Sequence, residues 1–192
     1  SIFSTTCVIC LMLLTQDFIR IWLGSSYLLS SYTLGAILIN FYLGVILLPI
    51  WVYREATGLY QQTKYVMVLT AVINLILSIY LAKKVGITGV LIASAISRLV
   101  TYFWYEPVLL FKRYFKQSSF VYFRHIGLNL LVTLLITFFE MVTIGKITPH
   151  GWGTLAVKAL LIGFSSLFLV LLFYSRSGGF KLILDRIKKF KL

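Results

Sequence analysis

Charged residues are scarce in this chain. Asp, Glu, Lys and Arg make up only 12% of the 192 residues, whereas they make up about 25% of a typical soluble domain. Hydrophobic residues make up 60%, and the mean hydropathy is +0.96. This composition excludes an ordinary soluble domain and predicts an integral membrane protein.

Residues suited to catalysis are also few. The chain has five acidic residues and two histidines, and the acids are too scattered to form a carboxylate pair for acid–base chemistry. His125 and His150 lie at predicted helix ends without other metal ligands nearby. The phosphate-binding pattern G-x-x-x-x-G-K-[ST] is absent, so ATP hydrolysis is not expected. The sequence indicates neither an enzyme nor a cofactor.

Cysteine is limited to one C-x-x-C pair, formed by Cys7 and Cys10. Such a pair can bind a metal or carry redox chemistry. Here it lies in an apolar helix with no second pair and no histidine close by. We therefore interpret both cysteines as small packing residues.

Long apolar runs dominate the rest of the chain. A spanning helix needs about 20 residues, so the second to sixth runs can each cross a membrane. The first begins at Ser1 and is apolar from its second residue, so we expect it to continue a helix that starts upstream, in a longer protein. The seven runs cover residues 1–15, 32–53, 65–82, 87–105, 121–144, 152–175 and 180–192.

The predicted fold class is an all-α integral membrane protein, a bundle of six transmembrane helices with a C-terminal amphipathic interfacial helix. We divide the chain into four parts: helices over residues 1–105, a basic amphipathic cytoplasmic loop over 106–120, a transmembrane hairpin over 121–175, and a basic cytoplasmic tail over 176–192. The basic amphipathic parts suit the anionic inner leaflet of a membrane. The segment 16–31 is predicted to be an outer loop with interfacial aromatic residues.

The net charge of +13 follows the predicted topology. When loops are placed alternately on two sides, one side holds twelve of the 18 Lys and Arg residues and the other holds four. Cytoplasmic loops carry the Lys/Arg excess, so we expect the C-terminus to be cytoplasmic in the cell membrane. No nucleic-acid partner is expected.

Polar residues within the predicted helices are candidates for function. Arg98 shares a helix face with Ser94, Thr101 and Tyr105, and could bind an anionic group in a cavity or serve only as a snorkelling or packing arginine. Asn40 and Asn74 each begin an i, i+4 pair of polar or small residues, and could form interhelical hydrogen bonds or line a pathway.

The predicted helix 121–144 carries a second polar stripe, formed by Asn129, Thr133, Thr137 and Glu140. Their spacing of i, i+4, i+8 and i+11 puts them on one face. Because Glu140 lies near the predicted outer end, we expect it to be a solvated anchor.

The stretch "YREATGLYQQTKY", residues 53–65, links two apolar helices on the predicted cytoplasmic side. One interpretation is a positive-inside loop whose Arg54, Glu55 and Lys64 are simply solvated. The other is that Arg54 meets an anionic substrate at the inner mouth of a cavity, oriented by Glu55.

Four segments, in order along residues 19–115, carry a family resemblance. They resemble the C-terminal half of Wzx-type oligosaccharide flippases of Gram-positive capsule and exopolysaccharide clusters, within the multidrug/oligosaccharidyl-lipid/polysaccharide exporter superfamily. Beyond Phe115 the resemblance is one of topology only. The segments are "IRIWLGSSY", "WVYREATGLYQQTKYVMVLTAVINLILSIYL", "GITGVLIASAISRLVTYFWYEP" and "LLFKRYF".

The resemblance implies alternating-access transport of polyprenyl-pyrophosphate-linked oligosaccharide from the inner to the outer leaflet, by a protein of about 14 helices in two bundles. It also implies polysaccharide polymerase and glycosyltransferases as candidate partners. The residues best suited to bind the substrate are Arg98, Arg54, Glu55, Lys64, Asn40 and Asn74. The alternatives are a cation-coupled multidrug exporter, a membrane-embedded glycosyl- or acyltransferase, and a membrane scaffold that recruits biosynthetic enzymes.

Overall fold

The structure is a computed structural model that describes residues 2–175. All regular secondary structure in this part of the chain is helical. The helices are α1 (Ile2–Trp22), α2 (Ser31–Ala56), α3 (Tyr60–Val85), α4 (Ile87–Val100), α5 (Tyr102–Leu110), α6 (Phe120–Thr143) and α7 (Trp152–Tyr174), with a 3-10 turn at Ser25–Tyr27 and a π turn at Phe111–Phe115.

Six helical segments of residues 2–175 are long and apolar enough to cross a membrane. They are α1, α2, α3, the continuous segment Ile87–Phe115, α6 and α7. This confirms the predicted all-helical class with six candidate spans, as a multi-pass membrane protein would have. The predicted amphipathic helix and basic tail after residue 175 lie outside the described residues.

The described residues form two compact units. The central unit covers Leu29–Gly127, and the terminal unit combines residues 2–28 with residues 128–175. A core of Leu43, Leu47, Ala95 and Phe103 joins α2, α4 and α5 in the central unit. A core of Ile9, Ile136, Ile162 and Val170 joins α1, α6 and α7 in the terminal unit.

Helix α1 is longer than the apolar pattern predicts. The predicted loop begins at residue 16, but the helix continues to Trp22. Asp17 is only 8% exposed in its last turns, and Phe18 packs edge-on against Trp152, with ring centroids 5.9 Å apart. These tertiary contacts extend the helix through residues that, in the sequence alone, favour a loop.

Helices α3 and α4 form a hairpin with Gly86 at its turn. Gly86 has a φ of +64°, a left-handed conformation that glycine adopts without steric cost, and it caps α3. Gly89 allows the backbones of α3 and α4 to approach each other closely, because a Cβ atom there would overlap the backbone carbonyl of Leu81.

The segment after α4 differs from the prediction. The predicted helix ends at residue 105 and is followed by a loop over 106–120. In the structure the helix breaks at Thr101 and then continues through Pro107 to Leu110 and the π turn. Burial explains the difference, because Glu106 and Leu110 are 2% and 1% exposed. The segment ends at Lys116, which has a φ of +49°.

The polar stripe of α6 is confirmed. Asn129, Thr133, Thr137 and Glu140 are all buried in the terminal unit. The Thr5 hydroxyl donates to Asn129 Oδ1 at 3.2 Å and lies 3.0 Å from the Thr133 hydroxyl. The stripe therefore faces α1.

We expect Gly89→Ala to destabilise the full-length protein by about 1–3 kcal/mol, the usual cost of overpacking. The added methyl group would displace the α3 backbone at Leu81. The measurement is the thermal unfolding midpoint in detergent. Gly44→Ala in α2 is the matched control, because its Cβ would meet nothing within 4 Å. Equal midpoints for the two variants would contradict the close approach.

Candidate functional site

A buried ion pair lies at one end of the central unit. Arg54, in the last turn of α2, donates from Nη1 to Glu106 Oε1 of α5 at 2.6 Å. Both side chains are almost fully buried, at 9% and 1% exposure. The short distance and the burial are typical of a strong charge-assisted hydrogen bond.

This pair leaves hydrogen-bonding capacity unused. Among the described residues, neither Arg54 Nε nor Glu106 Oε2 has a hydrogen-bond partner. The Tyr60 ring lies 5.7 Å from the Arg54 guanidinium carbon, within cation–π range. A guanidinium can bind two oxygens of a planar or tetrahedral anion at once, so Arg54 retains the capacity to contact a second anionic group.

Arg98 lies on the same helical segment as Glu106. It is half-buried, and no ion pair links it to any acid within residues 2–175. It interacts electrostatically with Tyr102, which also interacts with Glu106 and Arg54. Tyr102 is thus within electrostatic range of the Arg54–Glu106 pair and of Arg98, and we call these four residues the charged cluster of the central unit.

Two predicted site residues lie outside this cluster's buried part. The Glu55 side chain is 69% exposed, and its carboxylate is 3.8 Å from Arg54 Nη2. Lys64 is exposed and reaches Gln61 Oε1 at 3.4 Å. Glu55 is thus the longer and more exposed contact of Arg54, and Glu106 makes the shorter and far more buried one.

Asn40 and Asn74 make interhelical hydrogen bonds. Asn40 Nδ2 donates to the Leu91 carbonyl of α4 at 2.8 Å. Asn74 Oδ1 accepts from Ser94 of α4 at 3.4 Å and from Ser78 at 3.0 Å. These bonds support the packing interpretation of both residues. Thr101, at the helix break, likewise lies 2.6 Å from the Thr70 hydroxyl.

An apolar groove of about 500 Å³ lies beside the helix break. One wall comes from α3 and the other from α4, α5 and the π turn, and we call it the α3–α5 groove. Its lining is almost wholly hydrophobic, with Lys112 among its few polar members. Residues along it include Val66, Leu69, Ile73, Val100, Trp104 and Lys112.

Two segments that the predicted topology puts on the same side of the membrane, the α2–α3 loop and the π turn, are in contact. The Tyr114 hydroxyl donates to the Thr57 carbonyl at 2.6 Å, which puts the α2–α3 loop and the π turn at one end of the central unit. Which end faces the cytoplasm stays a prediction.

A second buried ion pair lies in the terminal unit. Lys158 of α7 donates to Asp17 Oδ2 of α1 at 2.6 Å, and also reaches the Gly145 carbonyl at 3.4 Å. Arg20 lies 3.5 Å from the other Asp17 oxygen. This pair joins the end of α1 to the start of α7.

The position of Glu140 near a helix end predicts a solvated anchor, and this prediction is wrong. Its exposure is 0%, because α6 turns its polar stripe toward the other helices of the terminal unit. Burial of the stripe as a whole overrides the nearness of the helix end.

Sequence reasoning missed Glu106 and Asp17 as partners. Both lie in predicted loops, where a carboxylate is expected to be solvated. A signal for Glu106 exists, because it follows Arg98 and Tyr102 at i+8 and i+4 and so continues their helical face. No comparable sequence signal links Asp17 to Lys158, 141 residues away.

No group of three or more His, Cys, Asp or Glu residues within residues 2–175 could hold a metal ion. Comparisons with protein-family models, with curated proteins and with solved structures gave no match.

We expect Glu106→Ala to lower the free energy of unfolding by about 3–5 kcal/mol, because Arg54 would remain buried without its partner. Glu55→Ala is the matched control and should change it by less than about 1 kcal/mol, as for an exposed pair. Thermal unfolding in detergent measures both effects.

The double variant Arg54→Met, Glu106→Leu tests the cause of that loss. Replacing a buried pair with apolar residues of similar size is often neutral, so its unfolding midpoint should return toward that of the wild type. A midpoint as low as that of Glu106→Ala would show that lost packing, rather than the unpaired charge, causes the destabilisation.

Proposed function

We propose that the protein is part of a flippase that moves polyprenyl-pyrophosphate-linked oligosaccharide from the inner to the outer leaflet for capsule or exopolysaccharide synthesis. Transport proceeds by alternating access, without ATP hydrolysis by this chain. The observation that carries the proposal is the charged cluster of Arg54, Arg98, Tyr102 and Glu106, which lies within the segments that resemble the flippase family.

The substrate's headgroup explains the need for such a cluster. A pyrophosphate cannot enter an apolar environment unless its charge is neutralised and its oxygens are hydrogen-bonded. Arginine binds phosphate oxygens bidentately. Arg98 has no carboxylate partner within the described chain, and Arg54 keeps one nitrogen without a partner, so both can contribute to headgroup binding.

The substrate's lipid part supports the same proposal. A polyprenyl chain needs an apolar surface that continues from the charged site, and the α3–α5 groove supplies one on the segment that carries Arg98 and Glu106. Lys112 also lines the groove and adds a cation to its otherwise largely apolar lining. An amphiphilic substrate thus matches the two kinds of surface that the central unit presents.

A cation-coupled exporter of the same superfamily is the second candidate. Three carboxylic side chains are buried in the described helices, namely Asp17, Glu106 and Glu140, and buried acids are typical of ion-coupled transport. Of these, Asp17 is paired with Lys158 and Glu106 with Arg54. The pairing of Glu106 favours the anion-binding interpretation of the central unit.

We expect Arg98→Ala in the full-length protein to lower export roughly ten- to hundredfold, the effect of losing a charged hydrogen bond of about 1.5–3 kcal/mol. Arg98→Lys should retain part of the activity because it keeps the charge. The measurement is outer-leaflet lipid-linked oligosaccharide in a flippase-deficient strain. Normal polymer yield at normal protein level would remove Arg98 from the mechanism, and inner-leaflet accumulation with the wild-type gene would contradict the flippase proposal.

The double variant Arg54→Met, Glu106→Leu separates binding by Arg54 from stability. It removes both charges and keeps a similar side-chain volume, so neither an unpaired charge nor a large cavity is buried, and we expect export to fall while the amount of folded protein stays near that of the wild type. Glu55→Ala is the matched control and should export normally, because its side chain is largely exposed. Normal export by the double variant would limit Arg54 to a role in packing and topology.

A further inference from the structure

Glu140 differs from the other buried acids. Its exposure is 0%, and neither carboxyl oxygen has a hydrogen-bond partner among the described residues. By contrast, Glu106 bonds Arg54 and Asp17 bonds Lys158, each at 2.6 Å. A fully buried carboxyl group without a partner needs an explanation.

Within residues 2–175, no ion pair links Glu140 to a basic residue. Ile136, one turn earlier on the same face of α6, belongs to the apolar core that it forms with Ile9 and Ile162. Cys10 of α1 interacts with Glu140 electrostatically, and the Ser165 hydroxyl of α7 lies within hydrogen-bonding reach. The Ser165 hydroxyl, however, donates to the Leu161 carbonyl at 2.6 Å.

The ionisable groups of the packed helices are otherwise engaged or distant. Lys158, the basic residue of α7, is bonded to Asp17. On α6 the other ionisable side chains are Tyr122, Arg124 and His125, which lie about four turns or more from Glu140 along the helix. Cys10 is thus the titratable group that faces Glu140 from α1, and a thiol cannot neutralise a carboxylate.

Desolvation decides the state of this group. An isolated carboxylate in an apolar interior costs so much free energy that such groups neutralise instead. Charged side chains at membrane depth already cost about 2.5–3.5 kcal/mol on insertion scales, even where they can relax toward water. A proton is the smallest ligand that removes the charge, and it needs no cavity.

We propose that Glu140 is a proton-binding site, at which the carboxyl group is held as a neutral acid inside the terminal unit. This site is separate from the charged cluster of the central unit, and its ligand is a proton rather than an anionic headgroup. The inference does not depend on the proposed transport function.

A hydrophobic carbodiimide tests this state directly. Dicyclohexylcarbodiimide partitions into apolar regions and reacts with the protonated acid. The carboxyl O–H adds across one C=N bond, with oxygen bonding to carbon and the proton going to nitrogen, and the adduct rearranges to a stable N-acylurea without a leaving group. An ionised carboxylate paired with a cation is protected.

The experiment treats the purified full-length protein in liposomes with dicyclohexylcarbodiimide and maps the adducts by peptide mass spectrometry. We expect the adduct on Glu140, with loss of that adduct in Glu140→Gln and little modification of Glu106, which Arg54 protects. A parallel sample with a water-soluble carbodiimide and an amine should label the exposed Glu55 and not Glu140.

Two results would overturn the proposal. Labelling of Glu140 by the water-soluble reagent and amine would show that the group is solvated, and resistance to both reagents would show an ionised group with a partner. Mapping on the wild-type protein gives either answer even if Glu140→Gln fails to fold. Because the readout is covalent labelling, a failure of this proposal is distinguishable from a failure of the transport proposal.

Discussion

The cost of placing charge in an apolar interior is the constraint on which this structure depends. Within residues 2–175, five Asp, Glu, Lys or Arg side chains are buried almost completely: Asp17, Arg54, Glu106, Glu140 and Lys158. Four form two ion pairs at 2.6 Å, and each pair joins helices that are distant in sequence. Because a single member of such a pair would be destabilising, each pair also fixes which helices must meet.

The Arg54–Glu106 pair connects this constraint to function. Glu106 accepts from only one nitrogen of Arg54 and keeps one oxygen without a partner within the described chain. A pair with complete hydrogen bonding would be a purely structural element. An incomplete pair keeps a guanidinium buried with one nitrogen left unbonded among the described residues, and under the proposed function that nitrogen serves to bind the pyrophosphate.

The sequence was sufficient where one local pattern determined the outcome. Hydropathy predicted the six candidate spans, and helical spacing predicted that the polar residues of α6 share one face. It was insufficient where distant residues decide. Helix α1 continues past residue 16 because Asp17 meets Lys158, and the α5 segment continues past residue 105 because Glu106 meets Arg54. Both partners lie beyond any local window.

The three buried acids show why residue type alone does not give a role. Glu106 faces the guanidinium of Arg54, and Tyr102 interacts electrostatically with both of them and with Arg98. This arrangement suits anion binding. Asp17 faces an ammonium that also reaches a loop carbonyl, which suits a clamp between helix ends. Glu140 has a thiol and a serine hydroxyl as neighbours and no ion pair within the described residues, so we infer that a proton removes its charge. The same carboxyl chemistry therefore leads to three different outcomes, set by the neighbouring helix in each case.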